Sequence, residues 1–210
     1  MTFLTDFADQ AVILPLVLAV AIALAAQGWW RGALSWLAVV GATFTAMLAL
    51  KLTFLACSPL FGPVHVRSPS GHVAAATVVV GGLAAMLTGR RLSLLPAACL
   101  AASVIGLSRI FLGAHSLPEV VIGAGVGLAG AMLLQRLAGP PPALRRIPVI
   151  AVVIIVAAVF HGTRLPAEAA IRRTAWKLSL YVDACRLPAH TARVGMTGGA
   201  AAQIPVALAP

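Results

Sequence analysis

The sequence predicts an all-α fold, a polytopic bundle of about six transmembrane helices, and three observations predict it. Hydrophobic residues make up 61% of the 210 positions and charged residues 10%, with a mean hydropathy of +1.02, far more apolar than a soluble domain. Apolar stretches recur at roughly 11–27, 32–50, 72–89, 92–107, 119–135 and 147–160, several shorter than the ~20 residues that cross a bilayer upright. No connecting segment is long enough to fold alone. Residues 1–160 therefore read as one transmembrane domain, and 161–210 as a C-terminal amphipathic helix with a flexible tail.

Each element has its own signal. Ala23-Leu24-Ala25 looks like a signal-peptide cleavage site, but Met1 to Gln10 has no Lys or Arg and carries Asp6 and Asp9. That is the reverse of a positive leader, so the first stretch reads as a span. Trp29 and Trp30 beside Arg31 suit an interfacial anchor before the second. Pro69 suits the first turn of the third. Arg90 lies 18 residues after His72, and Arg109 lies 18 after Arg91. The chain thus descends and returns by equal helical lengths, bringing Arg109 back to the depth of His72.

In the fifth span, Gly123 and Gly127 form a small-xxx-small face for close helix packing. Gly125-x-Gly127-x-x-Gly130 spells a dinucleotide fingerprint, but it lies inside a span with no preceding strand, so no cofactor is read from it. After His161, the residues Ile171, Ala175, Leu178, Val182 and Cys185 repeat at helical spacing, with Arg172, Arg173 and Lys177 largely off the stripe. A helix lying on the membrane or on the bundle fits that pattern.

Arg31, the pair Arg90 and Arg91, and the group Arg136, Arg145 and Arg146 fall in alternate loops. By the positive-inside tendency these loops are cytoplasmic. The loops with Lys51, Arg67, His72, Arg109 and His115 then face outward. A net charge of +10 would suggest nucleic acid in a soluble protein. In this setting anionic lipid headgroups are the expected partner and nucleic acid is not. Cys57 and Cys185 share the outer, oxidising side in this topology and could pair, while Cys99 lies within a span. Oligomeric state is not legible.

Two strings carry the chemistry. In Pro69-Ser70-Gly71-His72, the amides of Ser70, Gly71 and His72 open a helix, where the dipole and free N–H groups attract an anion, and Gly71 lets a phosphate approach the backbone. In Ser108-Arg109-x5-His115-x3-Glu119, Arg109 offers a planar fork matched to phosphate oxygens. Arginine at the end of an apolar span is costly enough to need a reason. His115 and Glu119 lie one turn apart, so the carboxylate can hold one ring nitrogen and aim the other. Ser116-x-x-Glu119 also spells a capping box, which would direct that carboxylate to backbone amides instead. Ser108 suits either the helix end or the phosphate. His65 suits either substrate contact or a solvated loop. A metal held by His72, His115 and Glu119 would lack a further close ligand, so neither a metal nor any other cofactor is expected.

These strings resemble the second and third signature motifs of the type 2 phosphatidic acid phosphatase (PAP2) superfamily, over a core of about residues 51–135. The first motif, Lys-x6-Arg-Pro, is matched in part by Lys51-x6-Ser58-Pro59, with serine in place of arginine. Arg67 is a candidate substitute guanidinium. The resemblance implies that His115 is the nucleophile forming a phosphohistidine and that His72 is the general acid. It also implies that catalysis is metal-free. With Glu119, these are the expected catalytic residues, and Lys51, Arg67, Ser70, Gly71 and Arg109 are the expected phosphate ligands.

The implied activity is a membrane phosphatase acting on a lipid phosphate or diphosphate. Undecaprenyl diphosphate is favoured, with phosphatidic acid, phosphatidylglycerol phosphate and lipid A as other candidates. The expected location is a bacterial inner membrane, multi-pass, with the site facing the periplasm or exterior. A lipid-linked phosphotransferase is the competing enzyme reading, and a lipid-binding or transport protein with a degraded site is the non-enzymatic one.

Overall fold

Eight helices account for the regular structure of the computed structural model, which describes residues 2–57, 66, 68–89 and 91–182. They are α1 (Thr2–Asp6), α2 (Gln10–Ala26), α3 (Trp30–Ala56), α4 (Gly71–Thr88), α5 (Arg91–Phe111), α6 (Leu117–Ala138), α7 (Arg146–Phe160) and α8 (Ala167–Tyr181). No strand occurs among the described residues.

Four helical segments are long and apolar enough to cross a membrane: Trp30–Ala56, Gly71–Thr88, Ser93–Phe111 and Leu117–Ala138. The expected six spans are corrected to these four. α2 and α7 are apolar but have only 17 and 15 residues, or about 25 and 22 Å at 1.5 Å per residue, short of a ~30 Å hydrocarbon core. They pack against each other beside the long helices.

α4 is the central helix, in contact with α3, α5 and α6. Its fit to α6 needs glycine. A Cβ on Gly123 would collide with the Ser70 carbonyl, and one on Gly127 would come within 2.5 Å of the Ala74 carbonyl. The small-residue face read from sequence is therefore the α4–α6 contact, and it fixes the start of α4 against the start of α6. The main core surrounds Trp36, which is fully buried among α2, α3, α4, α6 and α7. Its indole Nε1 donates to the Val17 carbonyl at 2.9 Å, removing the penalty of a buried unpaired donor.

Two local expectations change. α3 runs to Ala56, six residues past the expected end of the second span, so Lys51 is a buried helical residue and not part of a loop. Trp29 is buried, packed on Gly32, and only Trp30 is exposed as an interfacial ring. α8 packs on α3 with Ala175 buried, and Arg172, Arg173 and Lys177 are exposed, as are Leu178 and Val182 of the expected apolar stripe. Cys57 is disulfide-bonded and Cys99 is free. The expected partner, Cys185, lies outside the described residues, as do Ser58, His65 and Arg67.

Candidate active site

Three helix starts and two helix ends meet at one end of the bundle. α2, α4 and α6 begin there with Asp9, Ser70 and Ser116 as their caps, the C-terminal part of α3 brings in Lys51, and the last turn of α5 brings in Arg109. Arg31 at the start of α3 and Arg136 at the end of α6 lie at the opposite end. That matches the separation read from the loops.

Glu119 joins the two motif segments. Its Oε2 bonds His115 Nδ1 at 2.9 Å and accepts from the Ser116 amide at 3.0 Å. Its Oε1 accepts from the Ser68 amide at 2.8 Å, and its backbone carbonyl accepts from the Ser70 amide at 3.0 Å. The two readings of Glu119 therefore both hold, since one carboxylate orients His115 and caps α6. The Ser70 amide is engaged by that carbonyl, which corrects the expectation that it faces a phosphate. The first-turn amides of Gly71 and His72 keep the geometry of an anion site, having no acceptor one turn earlier in the helix.

Around this staple lie buried polar atoms with no hydrogen-bond partner among the described residues: Arg109 Nε and the hydroxyls of Ser68 and Ser70. Native interiors rarely leave such groups unpaired without a reason. Ser108 is used locally, its hydroxyl bonding Thr5 at 2.7 Å and pinning the N-terminal segment to α5.

Lys51 is buried beside Gly71, where an added Cβ would lie 3.4 Å from the lysine Cε. Its Nζ bonds Glu168 Oε2 of α8 at 2.7 Å. His72 Nε2 stands 3.7 Å from Asp9 Oδ2. Asp9 and Glu168 were not singled out from sequence. Each is an isolated acid far from the motifs, and the one available signal was the scarcity of carboxylates, five in the whole chain.

Asp9, Lys51, His72 and Glu168 line a cavity of about 410 Å³ whose other walls include Phe44, Met47 and Leu48 of α3. Arg109 and His115 are not among its lining residues, but their charges act on His72. Burial holds the His115 imidazole below its ordinary value, helped by Arg109 and Lys51 and opposed by the Glu119 bond. Burial pushes the Glu168 carboxyl up, but the hydrogen bond and charge of Lys51, with Arg172 and His115, outweigh it and leave Glu168 below the usual carboxylate range. Among the described residues, no three His, Cys, Asp or Glu side chains gather as a metal site.

A family model described as the PAP2 superfamily matches residues 33–140, a stretch that holds Lys51, His72, Arg109, His115 and Glu119 and leaves Asp9 and Glu168 outside it. No curated protein and no solved structure matches the chain.

Proposed function

The chain belongs to the PAP2 superfamily, and from that premise we propose that it is an integral membrane phosphatase hydrolysing the phosphate or diphosphate of a lipid through a phosphohistidine. The observation that carries this reading is the set of unpartnered, buried Arg109 and Ser70 groups beside a histidine held by a carboxylate. These are oxyanion ligands next to an oriented nucleophile.

Glu119 occupies Nδ1 of His115, so Nε2 is the attacking atom. A P–N bond forms as the P–O bond to the lipid breaks, and the departing oxygen takes its proton from His72. Water, losing a proton to His72, then displaces the phosphate and restores His115. Lys51, Arg109 and the Gly71 and His72 amides offset charge on the phosphoryl oxygens, the main assistance a protein can give this transfer. Arg67 is proposed as a further cation at the same group, in the role left open by Ser58.

The lipid assignment rests on the apolar wall of Phe44, Met47 and Leu48 in the cavity that also holds Lys51 and His72, which suits a headgroup above a hydrocarbon chain. Undecaprenyl diphosphate is the first substrate to try. The basic residues at the opposite end favour a site facing the periplasm or exterior of a bacterial inner membrane. Release of inorganic phosphate from a panel of lipid phosphates by the purified protein in detergent tests the reading. Consumption of lipid without phosphate release would point instead to transfer onto another acceptor. Neither consumption nor release would reject the enzyme.

A further inference from the structure

We infer that Asp9 is the charge partner of His72, a positioning residue supplied by the N-terminal helix pair from outside the family-matched segment. The inference rests on the phosphatase reading and adds a residue to that site.

Asp9 caps α2, and one of its oxygens is fully engaged in that task. Oδ1 accepts from the Ala11 amide at 2.9 Å and from the Leu165 amide at 3.2 Å. Two backbone donors on one oxygen fix the carboxylate plane. The second oxygen, Oδ2, is left facing His72 Nε2 at 3.7 Å, with the two side chains 13% and 27% exposed. That distance exceeds a direct hydrogen bond, so Asp9 acts on the ring as a nearby charge with little water between them to screen it.

The surroundings explain why such a charge is needed. The other charged or ionisable groups that act on His72 are Arg109 of α5, Lys51 of α3 and His115 of the α5–α6 turn. Each opposes a second positive charge at the ring, yet a general acid must carry a proton to donate. Asp9 is the one carboxylate among these groups, and an opposite charge at such range favours the protonated imidazole.

The segment that carries it is firmly held. Thr5 bonds the buried hydroxyl of Ser108, Asp6 is bonded by Arg164 at 2.9 and 3.3 Å, and Ala8 is buried in the cluster that contains Val73. Asp6 is thus occupied by Arg164. Asp9, three residues on, is the acid directed at the site.

A general acid matters when the leaving group is poor and much less when it is good. Asp9→Asn keeps an amide oxygen that can cap α2 and accept from Leu165, removing only the charge. Asp9→Ser caps as well and serves as a second variant. The experiment compares release of phosphate from dodecyl phosphate, whose alkoxide must be protonated, with release from 4-nitrophenyl phosphate, whose phenolate leaves unaided. Both substrates are assayed on the same preparation, so any loss of folded protein cancels in the ratio.

The expected result is a fall in kcat/KM, which reports the leaving-group step alone, of about tenfold or more on the alkyl substrate, part of the roughly 10²–10⁴-fold that loss of the general acid itself would cost, and less than threefold on the aryl one. An equal fall on both, or no fall on the alkyl substrate, would overturn the role of Asp9 while leaving the phosphatase standing. Failure of the wild-type protein to release phosphate from either would overturn the functional reading and this inference with it.

Discussion

His115 sits under two opposing influences, and its behaviour with pH should show which is stronger. Burial, Arg109 and Lys51 favour the neutral ring, and Glu119 favours the charged one, with burial the largest effect. In the proposed mechanism the neutral imidazole is the nucleophile, so activity is expected above the folded pKa and is lost as pH falls through it. Because that pKa is lowered, the acid limb of the kcat/KM profile should fall below the ordinary histidine value of about 6.5. A limb well above that value would mean that Glu119 dominates.

At the same scale, His115→Gln should abolish turnover with the fold intact, whereas His72→Gln should slow it by roughly 10²–10⁴-fold. Circular dichroism and phosphate release on the same samples check both. Glu119→Ala removes an orienter and leaves the buried Ser68 amide without its acceptor. It should cost about 1–3 kcal/mol of stability as well as activity, seen as a lower Tm. These roles were partly legible beforehand. The four-residue spacing of His115 and Glu119 foretold their bond, although His115 precedes the Ser116 cap of α6 and does not share a helix face with Glu119, and nothing local could tell that the same carboxylate also reaches Ser68, 51 positions away.

Helix contacts set how well these residues are held. The α4–α6 interface has no room at Gly123, where a side chain would meet the Ser70 carbonyl, whereas nothing lies within 4 Å of a Cβ on Gly41 of α3. Gly123→Ala should therefore lower Tm, by about 1–3 kcal/mol of overpacking, and reduce activity by displacing Ser70. Gly41→Ala should leave both nearly unchanged or raise stability slightly. Equal effects of the two would remove the basis for the close-packed interface.

α8 bears on substrate affinity. Glu168 bonds Lys51, the lysine proposed to hold the phosphate, so on that proposal the substrate displaces a carboxylate. Glu168 also titrates below the usual carboxylate range, so protonation does not release Lys51 at the pH values where a neutral His115 works. Glu168→Gln should then lower KM by about two- to fivefold, the effect of a half-exposed ion pair of up to ~1 kcal/mol, with little change in kcat. A raised KM would instead make Glu168 a support for Lys51. Periodicity foretold the helix itself. It could not show which residue of the first turn lands on α3, because packing between distant elements decides that.

Across the molecule, carboxylates are scarce and concentrated. Of five acids in the chain, Asp9 faces His72, Glu119 holds His115 and Glu168 holds Lys51. Composition revealed the apolar bundle, and equal helix lengths brought His72 and Arg109 to one level, since both follow from periodicity and from the bilayer as solvent. The length of α3 beyond residue 50 was not legible, because Lys51 reads as a helix-ending charge until its partner on α8 is seen. Passage of phosphate through His115 is tested by quenching turnover of a lipid substrate labelled in its phosphate with alkaline detergent, which preserves a P–N bond, and mapping the label on the protein at alkaline pH. An alkali-stable, acid-labile phosphate is expected on the peptide containing His115, absent in His115→Gln. Phosphate release by His115→Gln at a near-wild-type rate, with no label at that peptide in the wild type, would contradict it.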